Sequence, residues 1–275
     1  MHTARISILA IVLFVLSCAP DAKAPTPAAL APTAVARATV ARAWFVPDHD
    51  LPVSASTLEP PAGIPVLTLT RAELWFEGKV IAHVAAADPT QGFDGSEKVG
   101  GANGMLLLPL QAVLQGTKER LSPQGMFIVS ADRRVAYRTL LELIFTAGQS
   151  LFSRPYLAVQ SSLGEHAAIE IEVSTAQAIL KVGNGDAMIL IKDERVAVYD
   201  TCDNRPSNEA TETFALGNPV ALQAKLVRLR NHADHDAPVA STVAAYDIPY
   251  ATLIQVADIA TKAGFTRLRL GVIPK

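Results

Sequence analysis

The chain has 275 residues, half of them hydrophobic, and a formal net charge of −2. A nucleic-acid binder normally shows a concentrated basic face, and this balance argues against that class. Two cysteines cannot make a disulfide framework, so an apolar-rich chain of this length has to rest on a hydrophobic core.

Arg5 followed by the apolar run from Ile6 to Leu16 reads as an export signal. The run fits an h-region of roughly 7–15 residues and falls short of the about 20 that a spanning helix needs. Val15-Leu16-Ser17-Cys18 then resembles a bacterial lipobox. Residues 1–18 are therefore expected to be a signal peptide, with the Cys18 side chain taking a diacylglycerol. An ordinary signal peptide, or a short anchor with an incidental cysteine, is the alternative. On the lipoprotein reading Cys202 is the single thiol left, and the expected location is the cell envelope, membrane-anchored and facing the periplasm. Residues 19–63 are rich in Ala and Pro. Proline removes donors and keeps the chain extended, so this stretch reads as a semi-rigid tether, with plain disorder as the bland alternative.

The first globular unit is expected over 64–161. Val66 to Leu69 and Leu74 to Phe76 read as strands, with a Glu77-Gly78 turn before a strand over Val80 to Ala85. Thr90 to Gly104 is polar and Gly-rich, which predicts a surface loop. A helix is expected over Met105 to Lys118 despite Pro109, then a strand over Met126 to Val129. Tyr137, Leu140, Leu141 and Ile144 recur at helical spacing, and Tyr156 to Val159 closes the unit as a strand.

The second unit, 166–275, follows the same order. Ile169 to Val173 alternates as a half-buried strand. Ala187 to Ile191 and Val196 to Tyr199 form a hairpin pattern, and Thr201 to Thr213 is polar and irregular. Pro219 opens a helix with Leu222, Leu226 and Leu229 on one face, and Val239 to Ala244 is a strand. Pro249 suits a first helical turn, with Asp247 as a cap candidate. Gly264 suits the helix end, and Leu268 to Val272 is the last strand.

The two units repeat at a fixed offset of 113 (250 − 137): Tyr137 falls on Tyr250, Phe152 on Phe265, Arg154 on Arg267 and Leu157 on Leu270. A gapless offset predicts one structural unit used twice. The fold class expected is α+β, two tandem small mixed-sheet domains with helices packed on one face.

Ile248-Pro249-Tyr250, Val256-Ala257-Asp258-Ile259-Ala260 and Ala263-Gly264-Phe265-Thr266-Arg267-Leu268 resemble the end of the periplasmic domain of the ExbD/TolR family. The first unit keeps Ala131-Asp132, Tyr137 and Ala147-Gly148 with Phe152 following. It has Ala136 for the proline, and the second unit has Ala245 where the first has Asp132. The resemblance covers about 40 residues of each unit. It implies a non-catalytic module that dimerises and contacts peptidoglycan or an envelope protein partner such as a motor subunit. The family's transmembrane helix with its proton-handling acid has no counterpart in the short apolar run, so that role is not carried over. With only residues 161–165 between the units, an internal pseudo-dimer is expected.

Other chemistry has weaker signals. His232-Ala-Asp234-His235-Asp236 is a conceivable metal cluster, but a polar loop between helix and strand looks the same. His49 between Asp48 and Asp50 sits in the tether. Gly100 to Gly104 lacks the Lys-Ser/Thr of a phosphate loop, and no Gly-x-Ser-x-Gly occurs. Asp132 is the candidate interaction residue, either contacting a ligand or partner at the sheet end or serving as a capping or turn carboxylate before the Tyr137 helix. Tyr137 and Tyr250 read as core. The expected function is a lipid-anchored scaffold or adaptor of a proton-motive-force-driven biopolymer transport or Tol-like complex, without cofactor. A peptidoglycan-anchoring lipoprotein and an envelope hydrolase are the alternatives.

Overall fold

The computed structural model describes residues 49–85, 88–121, 124–173, 186–200, 212–233 and 236–271. Cys18, the tether up to residue 48, Cys202, and Asp234 and His235 lie outside the described residues. The chain is α+β. In order it runs β1 (Val53–Ser54), β2 (Val66–Leu69), β3 (Glu73–Phe76), β4 (Lys79–His83), β5 (Lys98–Val99), β6 (Leu106–Leu107), α1 (Leu108–Leu121), β7 (Met126–Ala131), α2 (Tyr137–Gln149), β8 (Arg154–Ser161) and β9 (His166–Glu170). It continues with β10 (Glu172–Val173), β11 (Ala187–Lys192), β12 (Arg195–Asp200), β13 (Glu212–Ala215), α3 (Pro219–Asn231), β14 (Val239–Ala244), α4 (Tyr250–Lys262) and β15 (Arg267–Leu270).

Two larger mixed sheets share one layout. The first has the order β1-β8-β7-β2-β3-β4, with β9 added on β8, and the second has the order β10-β15-β14-β11-β12-β13. In both, the first four strands of the order are mutually parallel and the last two pairings are antiparallel. Register agrees as well. The amide of Asp132 donates to the Leu69 carbonyl at 2.8 Å, and 113 residues on, the amide of Ala245 donates to the Ile191 carbonyl at 2.9 Å. Alternation along β2 and β7 sends Leu67, Leu69, Phe127 and Val129 into a core with α1 and α2, while Ile128, Tyr156, Ala158 and Ala168 form a separate cluster on the helix-free face. The larger core is continuous through both sheets, from Leu67 to Leu270.

The halves differ in their connections. Between β4 and α1 the first half carries residues 84–107, where the second has only Leu216-Gly217-Asn218 between β13 and α3. Pro109 fixes φ and lacks an N–H, so α1 starts at Leu108 and not at Met105, and Leu106–Leu107 pairs instead with Lys98–Val99. Glu212 and Thr213, at the end of the stretch read as irregular, instead open an edge strand, Glu212–Ala215, on β12.

The junction between the halves also departs from the expected boundary. A tight turn with Gly164 at φ 80° folds His166–Glu170 back on β8, so this strand belongs to the first sheet and only Glu172–Val173 joins the second. Nearest-neighbour hairpin pairing decides this, and periodicity alone does not report which sheet a strand joins. From residue 49 onward the expected tether is packed. Leu51 sits in the helix-free cluster, Val53–Ser54 pairs with Gln160–Ser161, and the Arg133 amide donates to the Asp50 carbonyl at 2.7 Å.

Both α2 and α4 end in matching turns. The Phe152 amide donates to the Ala147 carbonyl at 2.9 Å and the Phe265 amide to the Ala260 carbonyl at 3.1 Å. In the second half the left-handed residue is Gly264 at φ 95°. The residue 113 positions earlier is Leu151, at φ 68°. The Ala147-Gly148 match to Ala263-Gly264 is thus out of register: Gly148 is inside α2, and a leucine holds the conformation that glycine adopts without steric cost.

Candidate functional site

The segments before α2 and α4 meet head to head. Ala136 and Pro249, which open the two helices, form an antiparallel bridge. Neither has a side-chain cap, so Asp247 does not cap α4 and Asp132 does not cap α2. The orphan amides of each helix donate instead to the other half. Tyr137 N–H reaches Ile248 O at 2.8 Å and Arg138 N–H reaches Tyr246 O at 3.0 Å. Reciprocally, Tyr250 N–H reaches Val135 O at 2.8 Å and Ala251 N–H reaches Arg133 O at 2.9 Å. Each pair maps onto the other by the offset of 113, so the contact is isologous within one chain.

The two tyrosines repeat the pattern with side chains. Tyr137 Oη donates to Gly271 O at 2.6 Å, and Tyr250 Oη donates to Ala158 O at 2.9 Å. Each therefore crosses to the opposite half, Tyr137 to the residue that follows β15 and Tyr250 to a residue within β8. Burial pushes both phenols above their ordinary range, so both stay protonated donors. Core packing, the expectation for these residues, holds, but the cross-half hydroxyl bond was not legible.

Asp132 lies in the turn after β7 and is fully buried. Its carboxylate accepts from the Arg134 amide, from Arg134 Nε and from Arg134 Nη2, each at 2.9 Å. Burial alone would raise its pKa, but the Arg134 bonds and charge outweigh that and hold the carboxyl below its ordinary value. The geometry is that of a turn carboxylate. His49 Nε2 lies 3.2 Å from Ser130 Oγ on the helix-free face. Burial lowers the His49 pKa against the pull of Asp132 and Asp50. Its Nδ1 is buried with no hydrogen-bond partner, and Ser130 is fully buried, so this Ser–His pair lacks the orienting acid bond and the access that a nucleophile needs.

Two further groups escaped sequence reasoning. Asp258, inside α4, accepts from Ser54 Oγ at 2.7 Å and from the Ala55 amide at 3.0 Å, fastening the N-terminal segment to the second half. Glu142, inside α2, is fully buried. It accepts from Lys98 Nζ at 2.9 Å, from Arg138 Nε and from the Phe93 amide at 2.8 Å. Lys98 also donates to Gln91 O and Ala102 O, and Arg138 to Gly104 O while lying 4.7 Å over the Tyr246 ring. Far from being a loose surface loop, the Gly-rich insertion is pinned by buried charge. Gly92, at φ 72°, has to be glycine here, since a Cβ would stand 2.3 Å from Glu142 Oε2. The signal was Glu142 at the i+4 position from Arg138 on an otherwise apolar face.

A cleft of ≈ 280 Å³ opens beside the junction, lined by Thr70, Arg71, Val84, Ala85, Val135 and Thr139 with Arg134 and Asp247. Arg134 and Asp247 are equivalent positions of the two halves. Among the described residues no cluster of three His, Cys, Asp or Glu could hold a metal ion, and the His232 run is described only in part. Among the described residues no helix is long and apolar enough to cross a membrane. No protein-family model matches the sequence, and no curated protein matches it at a significant score.

Proposed function

We propose that this chain is a non-catalytic scaffold or adaptor of the cell envelope, made of two ExbD/TolR-like units closed on each other as an internal pseudo-dimer. Lipid at Cys18 holds it to the membrane, and it serves a proton-motive-force-driven transport or Tol-like complex. The observation that carries this reading is the reciprocal capping of α2 and α4. It is the relation a two-fold homodimer has at its interface, and tethering the two copies replaces a concentration-dependent association with an intramolecular one. The shared strand order supports the same reading. An edge such as β13, paired only with β12 among the described residues, offers backbone groups to a partner's strand.

The test is co-purification from envelope fractions, wild type beside Cys18→Ala. Membrane-embedded motor subunits recovered with the wild type and reduced with the variant are the expected result. Recovery of cell wall alone replaces this reading by wall anchoring. Failure of the wild type to take up labelled palmitate removes the lipid anchor.

A further inference from the structure

The cleft beside the junction combines features that packing does not require. Arg71 and Arg134 line it, and so does Asp247 from the other half, so residues of both charges border the cleft. Arg134 is fixed by its fork onto the buried Asp132. Counting Asp132, the four charges cancel, so the site offers both signs and no net charge. Thr139 also lines it, with its hydroxyl buried and lacking a hydrogen-bond partner. Val84, Ala85, Val135 and Ala136 make the remaining wall small and apolar.

A phosphate dianion would meet the Asp247 carboxylate there, and with Arg134 already offset by the buried Asp132 it would gain little net attraction. A molecule carrying one carboxylate and one ammonium satisfies both signs at once, with the carboxylate on the Arg71 side and the ammonium toward Asp247. The volume matches a ligand of amino-acid or dipeptide size. We infer that this cleft binds a small zwitterion, a free amino acid or a short unblocked peptide with small side chains, using Arg71, Arg134 and Asp247.

Alanyl-alanine, its N-acetylated form and inorganic phosphate serve as probes, titrated calorimetrically into the full 275-residue chain at neutral pH. Saturable binding of alanyl-alanine is expected, with the N-acetylated form and phosphate each weaker by about tenfold or more, the loss of one charge-assisted contact. Arg71→Gln, at an exposed position, leaves unliganded thermal unfolding unchanged and weakens alanyl-alanine by about tenfold. Asp247→Asn weakens alanyl-alanine but not its N-acetylated form, which a merely structural role would not separate. No saturable binding, phosphate binding tighter than the peptide, or an Arg71→Gln affinity equal to wild type overturns the inference.

Discussion

Deleting one hydroxyl at the junction tests whether the halves form one cooperative body. Tyr250→Phe keeps the ring and so leaves no cavity, but removes the 2.9 Å bond to Ala158 O. Tyr137→Phe removes the 2.6 Å bond to Gly271 O. A buried hydrogen bond contributes about 1 kcal/mol net, and a carbonyl left short of donors where water cannot reach raises the cost to as much as about 3 kcal/mol. For a folded body of roughly 200 residues each kcal/mol moves Tm by about 2–4 °C, so each variant should melt roughly 2–12 °C lower. Urea unfolding followed by tryptophan fluorescence, with calorimetry alongside, measures this. The midpoint should fall while the slope stays constant, in a single transition, because the core runs through both sheets. Tyr199→Phe, half-buried on β12, should stay within about 0.5 kcal/mol of wild type. Wild-type midpoints for both junction variants, or two resolved transitions, would refute the reasoning.

Glu142→Ala strands Lys98 and Arg138 as buried cations and should cost about 3–5 kcal/mol, with residues 89–104 becoming the first site of limited proteolysis. Asp132→Asn probes acid stability. Because the folded-state pKa of Asp132 lies below its ordinary 3.8, its contribution is full above that value and fades as pH falls through the folded pKa. The wild type should therefore exceed the variant in stability at pH 5–7, and the gap should close below about pH 4 in pH-dependent urea titrations. Gly264→Ala should destabilise by about 1–2 kcal/mol, since its φ of 95° is strained for any Cβ while the nearest side-chain atom, at 3.5 Å, gives no clash. Leu151→Gly, at the equivalent and largely exposed position, should change stability in the opposite direction in the same denaturation assay.

The strands and helices around residues 126–157 and 239–270 were legible because their signals are local. Apolar periodicity places Leu140 and Leu253 on buried faces, and proline and glycine mark helix ends. The offset of 113 likewise needs only the sequence. Where several residues compete for one role, the local signal failed. Asp247 and Asp132 look like caps in a linear reading, yet the helix amides they would serve are taken by carbonyls more than a hundred residues away. The Gly148 match failed because a left-handed residue is recognised by its backbone angle, and Leu151 carries that angle without carrying glycine's identity.

By itself, then, the sequence determined the main helices and the central strands, and that one pattern occurs twice, since both follow from the chemistry of near neighbours. The tertiary structure decided which sheet His166–Glu170 joins, how the Gly-rich insertion is held by Lys98 and Glu142, and that each half caps the other's helix. These are contacts between residues distant in the chain. They form only where burial removes water from both partners at once, and no local pattern records which partner that will be.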